Sequence, residues 1–273
     1  MTKGVVLFAH NNEEVDYIKI ATYAADRIKL FLNVPVTLIT NSTDSSLANK
    51  FDNVIVVNTS SPYTKYFYNG SLAGKHLTWN NVSRADVYEL TPYTETLVID
   101  VDYIINSNIL DYCWNQPSDF LIFQRSVDLA PWRDNSEFLK VSEHSIPFYW
   151  ATVFFFRKTS LNELFFTLIK EIRKNWNYYT TLYQIRSTNF RNDLAFSIAI
   201  HMMNGFSSGV FASHIPGKLF FTTDRDLLIE SSNGSMHFLL ENANSTGGYI
   251  SVKTNNTDIH VMNKYSLMEL VNE

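Results

Sequence analysis

Cysteine and long apolar runs are what this sequence most clearly lacks. The chain of 273 residues has one cysteine, Cys113, so no disulfide can form within a single chain. We therefore expect a reducing compartment, the cytoplasm. The apolar run at residues 5–9 is too short for the core of a secretory signal peptide. No apolar stretch reaches the ~20 residues that a membrane helix requires, so the sequence predicts no membrane span.

An excess of positive charge is also lacking. The chain has 22 Lys and Arg against 27 Asp and Glu, a formal net charge of −5, which argues against a general nucleic-acid coat. Folding could still assemble a local basic groove. With 45% hydrophobic residues, the chain can bury the core of one large α/β domain or two small ones. Because we find no internal repeat, low-complexity tract or linker, one domain over residues 1–273 is the simplest interpretation.

The N-terminal part of the chain shows the pattern that opens a doubly wound sheet. Residues 3–9 form an apolar run without polar alternation, which is typical of a central strand covered on both faces. Apolar residues at helical spacing predict a helix over residues 13–32. Residues 36–40 and 54–57 are two further short, β-branched runs. The fold class expected is therefore α/β, with a mixed, mostly parallel sheet flanked by helices.

The rest of the chain continues the alternation of strands and helices. A polar and aromatic stretch at residues 60–81 is expected to be a mobile loop near a ligand. The residues from Ser160 to Glu163 read as a capping box that opens a helix. The core-facing stripe of this helix is predicted to be Leu161, Leu164, Phe165, Leu168, Ile169 and Ile172. Further predicted elements are a helix at 83–90, strands at 119–124 and 150–157, a helix at 192–204 capped by Gly205, strand and loop material from 207 onward, and a helix at 265–271.

Two carboxylates, Asp100 and Asp102, stand in an otherwise apolar run at residues 96–105 that reads as a buried strand. Side chains two apart on a strand project to the same face, roughly 6–7 Å apart, so both can converge on one cation. Burial of such a pair would force one carboxylate to take up a proton, whereas a divalent metal lets both stay ionised. The pair therefore predicts a metal and phosphate site, and solvated carboxylates at a strand end are the alternative.

Three early strands, an Arg-bearing helix and an apolar strand ending in Leu97-Val-Ile-Asp100-Val-Asp102 resemble the GT-A fold of nucleotide-sugar glycosyltransferases, closest to the retaining glycogenin and bacterial galactosyltransferase type. The resemblance implies that Asp100 and Asp102 hold Mn²⁺ or Mg²⁺ against the donor diphosphate and that Arg84 reaches the nucleotide. It also implies a donor-nucleotide half at residues 1–105 and an acceptor half at 106–273.

In this family a histidine near the C-terminus and a following lysine complete the metal shell and clamp the phosphates. The segment Asp258-Ile-His260-Val-Met-Asn-Lys264 stands at that place, although the family's intervening glycine is absent and the spacing is shorter. His260 is therefore a third metal ligand by resemblance and Lys264 a phosphate contact. A satisfied histidine on an apolar strand is the alternative, and His237 is the competing ligand.

The resemblance extends to five other positions. Asn192 and Asp193 stand where the family has an Asp-Gln pair that opens a helix beside the reacting sugar carbon, and Asp193 could equally be a helix cap. Thr152 and Trp150 lie at a strand end that faces donor sugar and acceptor, with core packing as the alternative for Trp150. Asn11 matches the position that holds the nucleobase.

The sequence thus predicts a metal-dependent glycosyltransferase, a hexosyl- or pentosyltransferase, that uses a nucleoside-diphosphate sugar, preferably a UDP-sugar. A short, Asn-, Tyr- and Ile-rich chain without a signal also resembles tailed-bacteriophage enzymes, some of which glycosylate hydroxymethylated bases of their own DNA, and a phage enzyme would work in the host cytoplasm. Phosphate contacts to such a DNA acceptor would come from Lys65, Lys75, Arg125, Arg133, Arg186 and Arg191.

Three alternatives to a DNA-modifying enzyme stay open. The acceptor could be a cell-envelope glycan, which would favour an acidic or neutral cleft. The chain could be a non-catalytic module that binds sugar nucleotides. It could also be a phosphatase that uses Asp100 as its nucleophile. A nucleotidyltransferase of similar fold would need a Gly-rich loop after the first strand, and His10-Asn11-Asn12 is not one.

Overall fold

The structure is a computed structural model that describes residues 2–58, 62–80, 84–186, 189–232, 234–242, 245 and 247–272. The ends of the expected loop, at 60–61 and 81, and the first residue of the expected helix at 83 lie outside the described residues. Helices are α1 (Tyr17–Leu32), α2 (Val87–Leu90), α3 (Ser160–Lys174), α4 (Trp176–Leu182), α5 (Asn192–Met203) and α6 (Lys264–Asn272).

Strands of the described chain are β1 (Lys3–Ala9), β2 (Val36–Thr40), β3 (Asn53–Val56), β4 (Pro62–Asn69), β5 (Ala73–Asn80), β6 (Glu95–Asp100), β7 (Tyr103–Ile104), β8 (Phe120–Phe123), β9 (Ser126–Asp128), β10 (Trp150–Arg157), β11 (Ser213–His214), β12 (Leu219–Thr222), β13 (Leu227–Ser232), β14 (Ser235–Glu241), β15 (Tyr249–Asn255) and β16 (Ile259–Val261).

A seven-stranded sheet with the order β11-β8-β10-β6-β1-β2-β3 forms the centre of the fold. Its neighbours are parallel except that β10 runs antiparallel to both β6 and β8. Strands β1, β2 and β6 are apolar and buried almost throughout, as central strands covered on both faces must be. Helix α1 packs on β1 and β2, α5 packs on β10, and α3 packs on α5. The expected α/β fold class is confirmed.

Predictions for the central strands and for α5 agree closely with the structure. Strands β1, β2 and β10 have the predicted bounds. The left-handed turn predicted after α5 is present at Gly205, whose φ is +69°. Helix α4 was not predicted. Within the described ranges, no helix combines the length and the apolar character needed to cross a bilayer.

Helix α1 begins at Tyr17, so the predicted start at residue 13 was wrong. The Asp16 side chain accepts a hydrogen bond from the backbone N of Lys19 and caps the first turn. Before it, the Asn12 side chain accepts from two backbone N–H groups and folds residues 13–15 into a turn. Asn12 and Asp16 offer the backbone hydrogen bonds outside the helix that compete with an earlier start.

The predicted mobile loop contains a hairpin, β4–β5, which we call the strap. One end of the strap is held at the loop after β1, where the Asn12 side chain donates to the carbonyl of Thr78 at 2.9 Å. Its turn is held by the C-terminal sheet, because the backbone N of Ser71 donates to the Tyr249 hydroxyl at 2.9 Å. An isolated two-stranded hairpin is marginal in water, so these tertiary anchors rather than the local pattern order the strap.

Helix α3 is capped one residue earlier than predicted, and it buries Phe165, Ile169 and Ile172 of the predicted stripe but not its two N-terminal leucines. Thr159, not Ser160, is the N-cap, and its side chain accepts from the backbone N of Asn162. Leu161 and Leu164 are 52% and 51% exposed, so their assignment to the core was wrong. The polar side chain of Asn162 can be buried because its amide donates to two backbone carbonyls at 2.8 and 2.9 Å. The buried positions are Asn162, Phe165, Phe166, Ile169 and Ile172.

Strand β6 ends at Asp100, so the expectation that Asp100 and Asp102 share one strand face was wrong. Asp102 lies in the turn between β6 and β7, and this turn brings it near Asp100. A second sheet of order β7-β16-β12-β9 places β16 antiparallel to β7. The backbone N of Val261 donates to the carbonyl of Asp102 at 2.8 Å, which fixes the C-terminal segment against the turn.

Candidate functional site

A cleft of about 480 Å³ opens where β1 and β6 end. Ligands of open α/β sheets bind outside the carboxyl ends of the strands, so this is the expected position for a site. The walls of the cleft are the turn after β6, the start of β10, the start of α5, the segment after β16 and the strap. Each wall comes from a part of the chain that is distant in sequence from the others.

Asp100, Asp102 and His260 meet at the floor of the cleft. One potential ligand atom from each lies within 4.8 Å of the others. His260 Nε2 is 3.2 Å from Asp102 Oδ2, and the two residues are 158 positions apart in the sequence. Strand β16 carries His260 to this place through its pairing with β7. His237, the competing candidate, lies on β14 and contacts the Ser251 hydroxyl at 2.8 Å, away from the residues that line the cleft.

Each of the two aspartates also contacts a basic side chain. Arg84 donates to Asp100, and Lys264 donates to Asp102 and to the carbonyl of Met262 at 3.0 Å. Burial raises the pKa of Asp100 to about 6 although Arg84 opposes the shift, and the charge of Asp102 raises it further. Burial would also raise the pKa of Asp102, but Lys264 and His260 outweigh burial and hold this pKa below its ordinary value.

The residues present fit a divalent cation. Two carboxylates and an imidazole are donors that Mn²⁺ accepts, and Mg²⁺ prefers the oxygen donors among them. Potential ligand atoms of all three side chains already lie within 4.8 Å of one another, so the three side chains could close on one such ion. Asp102 supplies a permanently ionised oxygen ligand, because its pKa is held low.

Asn192 and Asp193, at the start of α5, both line the cleft. The Asp193 side chain accepts from the backbone N of Ala151 at 2.9 Å and pairs with Arg191 at 3.2 Å, which ties α5 to the start of β10. It is not the helix cap, since the N-cap position is Arg191 and makes no side-chain capping bond. The Asn192 side chain accepts from the backbone N of Arg84 at 3.4 Å and so connects this wall to the metal-binding floor.

Trp150 and Thr152 line the cleft and are almost completely buried. Trp150 packs among aromatic rings, including Phe221, and its edge faces His260 at 6.2 Å between ring centroids. Its indole Nε1–H nevertheless has no hydrogen-bond partner among the described residues. Core packing is thus observed for Trp150, and its buried indole donor lacks the partner that such a donor normally finds.

Asn11 does not line the cleft. Its side chain donates to Asp16 at 2.9 Å and accepts from the backbone N of Ile18 at 3.0 Å, so both ends of the amide are used by the first turn of α1. The neighbouring His10 does line the cleft and is 5% exposed. Neither ring nitrogen of His10 has a partner among the described residues. Burial lowers the pKa of His10, and Arg84 lowers it further.

Sequence reasoning missed His10, Asp224 and Tyr17 as lining residues of this cleft. The position of His10, directly after a buried strand, was the available signal, since ligands meet the carboxyl ends of such strands. Asp224 and Tyr17 gave no signal. Asp224 follows β12 in the C-terminal part of the chain, and Tyr17 faces the cleft only because α1 starts there.

The basic residues expected to contact a DNA acceptor are used in different ways. Lys65 and Arg191 line the cleft, and Arg186 lines an adjoining cavity that Arg191 shares. Lys75 is paired with Glu14 on the outside of the strap. Arg133 does not line the cleft and is in an ion pair with the buried Asp226.

No family model and no curated protein matches this chain. Among solved structures, the galactosyltransferase LgtC, in complex with donor and acceptor sugar analogues, is similar with a TM-score of 0.46 and 9% identity over 72% of this chain and 70% of LgtC. The glycosyltransferase GlyE of Streptococcus pneumoniae TIGR4 is similar with a TM-score of 0.42 and 10% identity over 79% of this chain and 46% of GlyE. The bifunctional IspDF of Campylobacter jejuni is similar with a TM-score of 0.42 and 13% identity over 80% of this chain and 50% of IspDF.

This chain thus spans about half the length of GlyE and of IspDF. The matched structures carry names of different activities, and the identities do not exceed 13%. At these scores the likeness carries no argument about function, which rests on the residues of the cleft.

Proposed function

We propose that this protein is a metal-dependent glycosyltransferase that moves a sugar from a nucleoside-diphosphate sugar, a UDP-sugar by preference, to a hydroxyl acceptor. The observation that carries the proposal is the convergence of Asp100, Asp102 and His260 on one point of a cleft at the carboxyl ends of the central strands. Basic side chains stand directly beside this point, as binding of a diphosphate through a bridging cation requires.

Asp100, Asp102 and His260 would hold Mn²⁺ or Mg²⁺. Such an ion, when bound, neutralises charge on the departing nucleoside diphosphate. Arg84 and Lys264 line the cleft beside the two aspartates, so a diphosphate at the cluster meets both as charge-assisted hydrogen-bond donors. Arg84 and Lys264 also offset part of the negative charge of Asp100 and Asp102 within the protein.

The donor nucleotide is assigned to the residues 1–105 half of the cleft and the acceptor to the 106–273 half. At the nucleobase end, the Asn11 side chain is committed to α1, and His10 beside it offers two ring nitrogens to a ligand. On the other side, we assign Asp193 and Asn192 to the sugar and its reacting carbon. Their positions are fixed by hydrogen bonds to other elements, which is the preorganisation that catalysis uses.

Trp150 and Thr152 are assigned to the donor sugar or the acceptor. Both belong to the start of β10 and border the same cleft as Asp193. The unpartnered indole N–H of Trp150 supports a contact with a sugar hydroxyl, because such a contact would satisfy the buried donor.

The phosphatase alternative fits less well. It uses Asp100 as the nucleophile, and in the structure Asp100 is paired with Arg84. A phosphatase would hydrolyse phosphomonoesters without a nucleotide sugar, and assay of p-nitrophenyl phosphate hydrolysis separates the two activities.

A thermal-shift panel of nucleoside diphosphates and their sugars, with and without Mn²⁺, tests the proposal. A ligand at 100 times its Kd stabilises the folded state by about 2.7 kcal/mol, so we expect one diphosphate series to raise the Tm only when Mn²⁺ is present. Asp102→Asn should abolish this shift and the release of nucleoside diphosphate from the sugar donor. The ligand-free Tm of the variant is the control for folding.

Two results would count against the proposal. If no nucleoside diphosphate or nucleotide sugar raises the Tm in a cation-dependent way, the site is not a donor site. If a nucleotide sugar binds with Mn²⁺ but is never turned over with any hydroxyl acceptor or water, the chain is a binding module.

A further inference from the structure

Four basic side chains line the cleft, and one of them differs from the rest. Three are in ion pairs with carboxylates of the same cleft. These pairs are Arg84 with Asp100, Lys264 with Asp102, and Arg191 with Asp193. Lys65 has no carboxylate within ion-pair distance and no hydrogen-bond partner among the residues that the structure describes. Within the described ranges, its charge is therefore not neutralised by a paired carboxylate.

Lys65 lies in the middle of β4, on the strap, and its ammonium is held between aromatic rings. The Nζ atom lies 5.6 Å from the ring centroid of Phe67 and 5.7 Å from that of Trp79. Both rings line the cleft, so the cation–π contacts hold the ammonium at its wall. A lysine whose only role is solubility would extend into bulk water rather than lie between two rings of a cleft.

The electrostatic surroundings of Lys65 are unfavourable for a cation. The surrounding protein lowers the pKa of Lys65 although solvent still reaches the side chain, and the positive charge of Lys264 lowers it further. Asp224 acts in the opposite direction, but it does not form an ion pair with Lys65. Cations that are brought together from separate elements repel each other until an anion lies between them.

Hydrogen bonds at both ends of the strap hold Lys65 in place. Its base is tied to the loop after β1, where the Asn80 side chain donates to the carbonyl of Asn11 at 3.1 Å. Its turn is tied to β15 through Tyr249, whose hydroxyl accepts from the backbone N of Ser71. Lys65 lies between the two anchors, so the hairpin holds the lysine at the wall of the cleft.

We propose that Lys65 is a positioning residue that binds the diphosphate of the donor from the strap side, while Lys264 binds it from the side of the metal ligands. This inference rests on the proposed function, because it takes the anion to be the leaving group of a nucleotide sugar. The phosphates would then lie between two lysines that no single sequence motif contains. A charged contact of this kind can also stabilise the departing diphosphate.

Binding measurements on wild type and three variants test the inference. Isothermal titration at saturating Mn²⁺ compares UDP, or the diphosphate that the panel selects, with the matching nucleoside. We expect Lys65→Ala to weaken diphosphate binding about 10- to 100-fold and to leave nucleoside binding unchanged, since only the phosphates meet the ammonium. Lys65→Arg keeps the charge and should stay within about threefold of wild type.

Lys75→Ala is the matched control. Lys75 lies on the other strand of the same strap, is paired with Glu14 and does not line the cleft, so its removal should leave diphosphate affinity unchanged. The ligand-free Tm of each variant shows whether the strap is still folded.

Distinct outcomes would overturn the inference. If Lys65→Ala binds the diphosphate as tightly as wild type, Lys65 is not a phosphate contact, and the proposed function stands. The same holds if the variant changes only the KM for the acceptor, which would assign the lysine to an anionic acceptor group. An equal loss of diphosphate and nucleoside affinity would mean a structural role. Failure of wild type to bind any nucleoside diphosphate would overturn both this inference and the proposed function.

Discussion

The cleft and a second group of buried charges, the Arg133 cluster, are both made of carboxylates paired with basic side chains, but they differ in how completely their polar atoms are satisfied. The Arg133 cluster consists of Arg133, Asp128 and Asp226. Asp226 is completely buried, and both of its oxygens accept hydrogen bonds, from Arg133 and from the backbone N–H groups of Thr223 and Glu241 at 2.8 Å. Such a network is a structural lock.

The cleft group is less complete. His260 Nδ1, Trp150 Nε1 and both ring nitrogens of His10 are buried without a hydrogen-bond partner in the described chain. The carboxylate pKa values are also pulled in opposite directions, upward for Asp100 and downward for Asp102. Burial and ion pairing alone therefore do not distinguish the two groups, whereas the unpartnered polar atoms that border the cleft do.

Breaking the Arg133 cluster should have the largest effect on stability. We expect Asp226→Asn to lower the free energy of unfolding by about 3–4 kcal/mol, because it removes the closer charge partner of the largely buried Arg133 guanidinium and leaves only the 3.3 Å pair with Asp128. Urea or guanidinium unfolding measures the change. A loss below about 1 kcal/mol would mean that this cluster is no more structural than the cleft.

A third buried carboxylate, Asp258, lies just before β16 and extends the comparison between the cleft and the Arg133 cluster. The pH dependence of stability at this residue shows what burial of a carboxylate costs. Burial raises the pKa of Asp258 from its ordinary value to about 6, although the backbone N of Asn106 donates to it at 2.8 Å. The folded state therefore binds this proton more tightly than the unfolded chain does, and stability falls as the pH rises from about 4 to about 6. Above pH 6 the ionised, buried carboxylate is a net cost.

Asp258→Asn cannot ionise and keeps an oxygen acceptor for Asn106. We expect it to raise the free energy of unfolding by about 2 kcal/mol at pH 7.5, with the gain disappearing as the pH falls towards 4. Unfolding curves of variant and wild type across this pH range check the sign. A gain that grows towards low pH would contradict the assignment.

The smallest stability effect is expected at the cleft itself. Asp100→Asn removes a carboxylate whose burial is already unfavourable, so we expect the free energy of unfolding to change by no more than about 1 kcal/mol. Cation-dependent binding of the nucleoside diphosphate should nevertheless weaken at least about 10-fold, because an oxygen ligand loses its charge. Parallel unfolding and titration experiments measure the two effects, and a large loss of stability would assign Asp100 to the scaffold.

Prediction from sequence worked where local pattern and burial agree. The runs that became β1, β2 and β10 are continuously apolar because they are covered on both faces, and no other element competes for those residues. Prediction failed for α3, where two faces of the helix were nearly equally suited to burial. Helix α3 offers neighbouring apolar stripes, and packing of Phe165 and Phe166 against β10 and α5 selected one of them over Leu161 and Leu164.

Local pattern also could not predict the strap, whose order depends on anchors 66 and 178 residues away in the sequence. The same limit applied to Asn11. Its type and position suited a ligand contact, but in the structure its amide caps a turn, and the adjacent His10 faces the cleft.

By itself, the sequence determined the central strands and the presence of an acidic pair at the end of one of them, because these depend on side chains that are close in the chain. Only the tertiary structure decided which residues join that pair. His260 and Lys264 reach Asp102 across 158 and 162 positions through the pairing of β16 with β7, and Lys65 reaches the same cleft on the strap. Contacts of this separation follow from topology, which local periodicity does not encode.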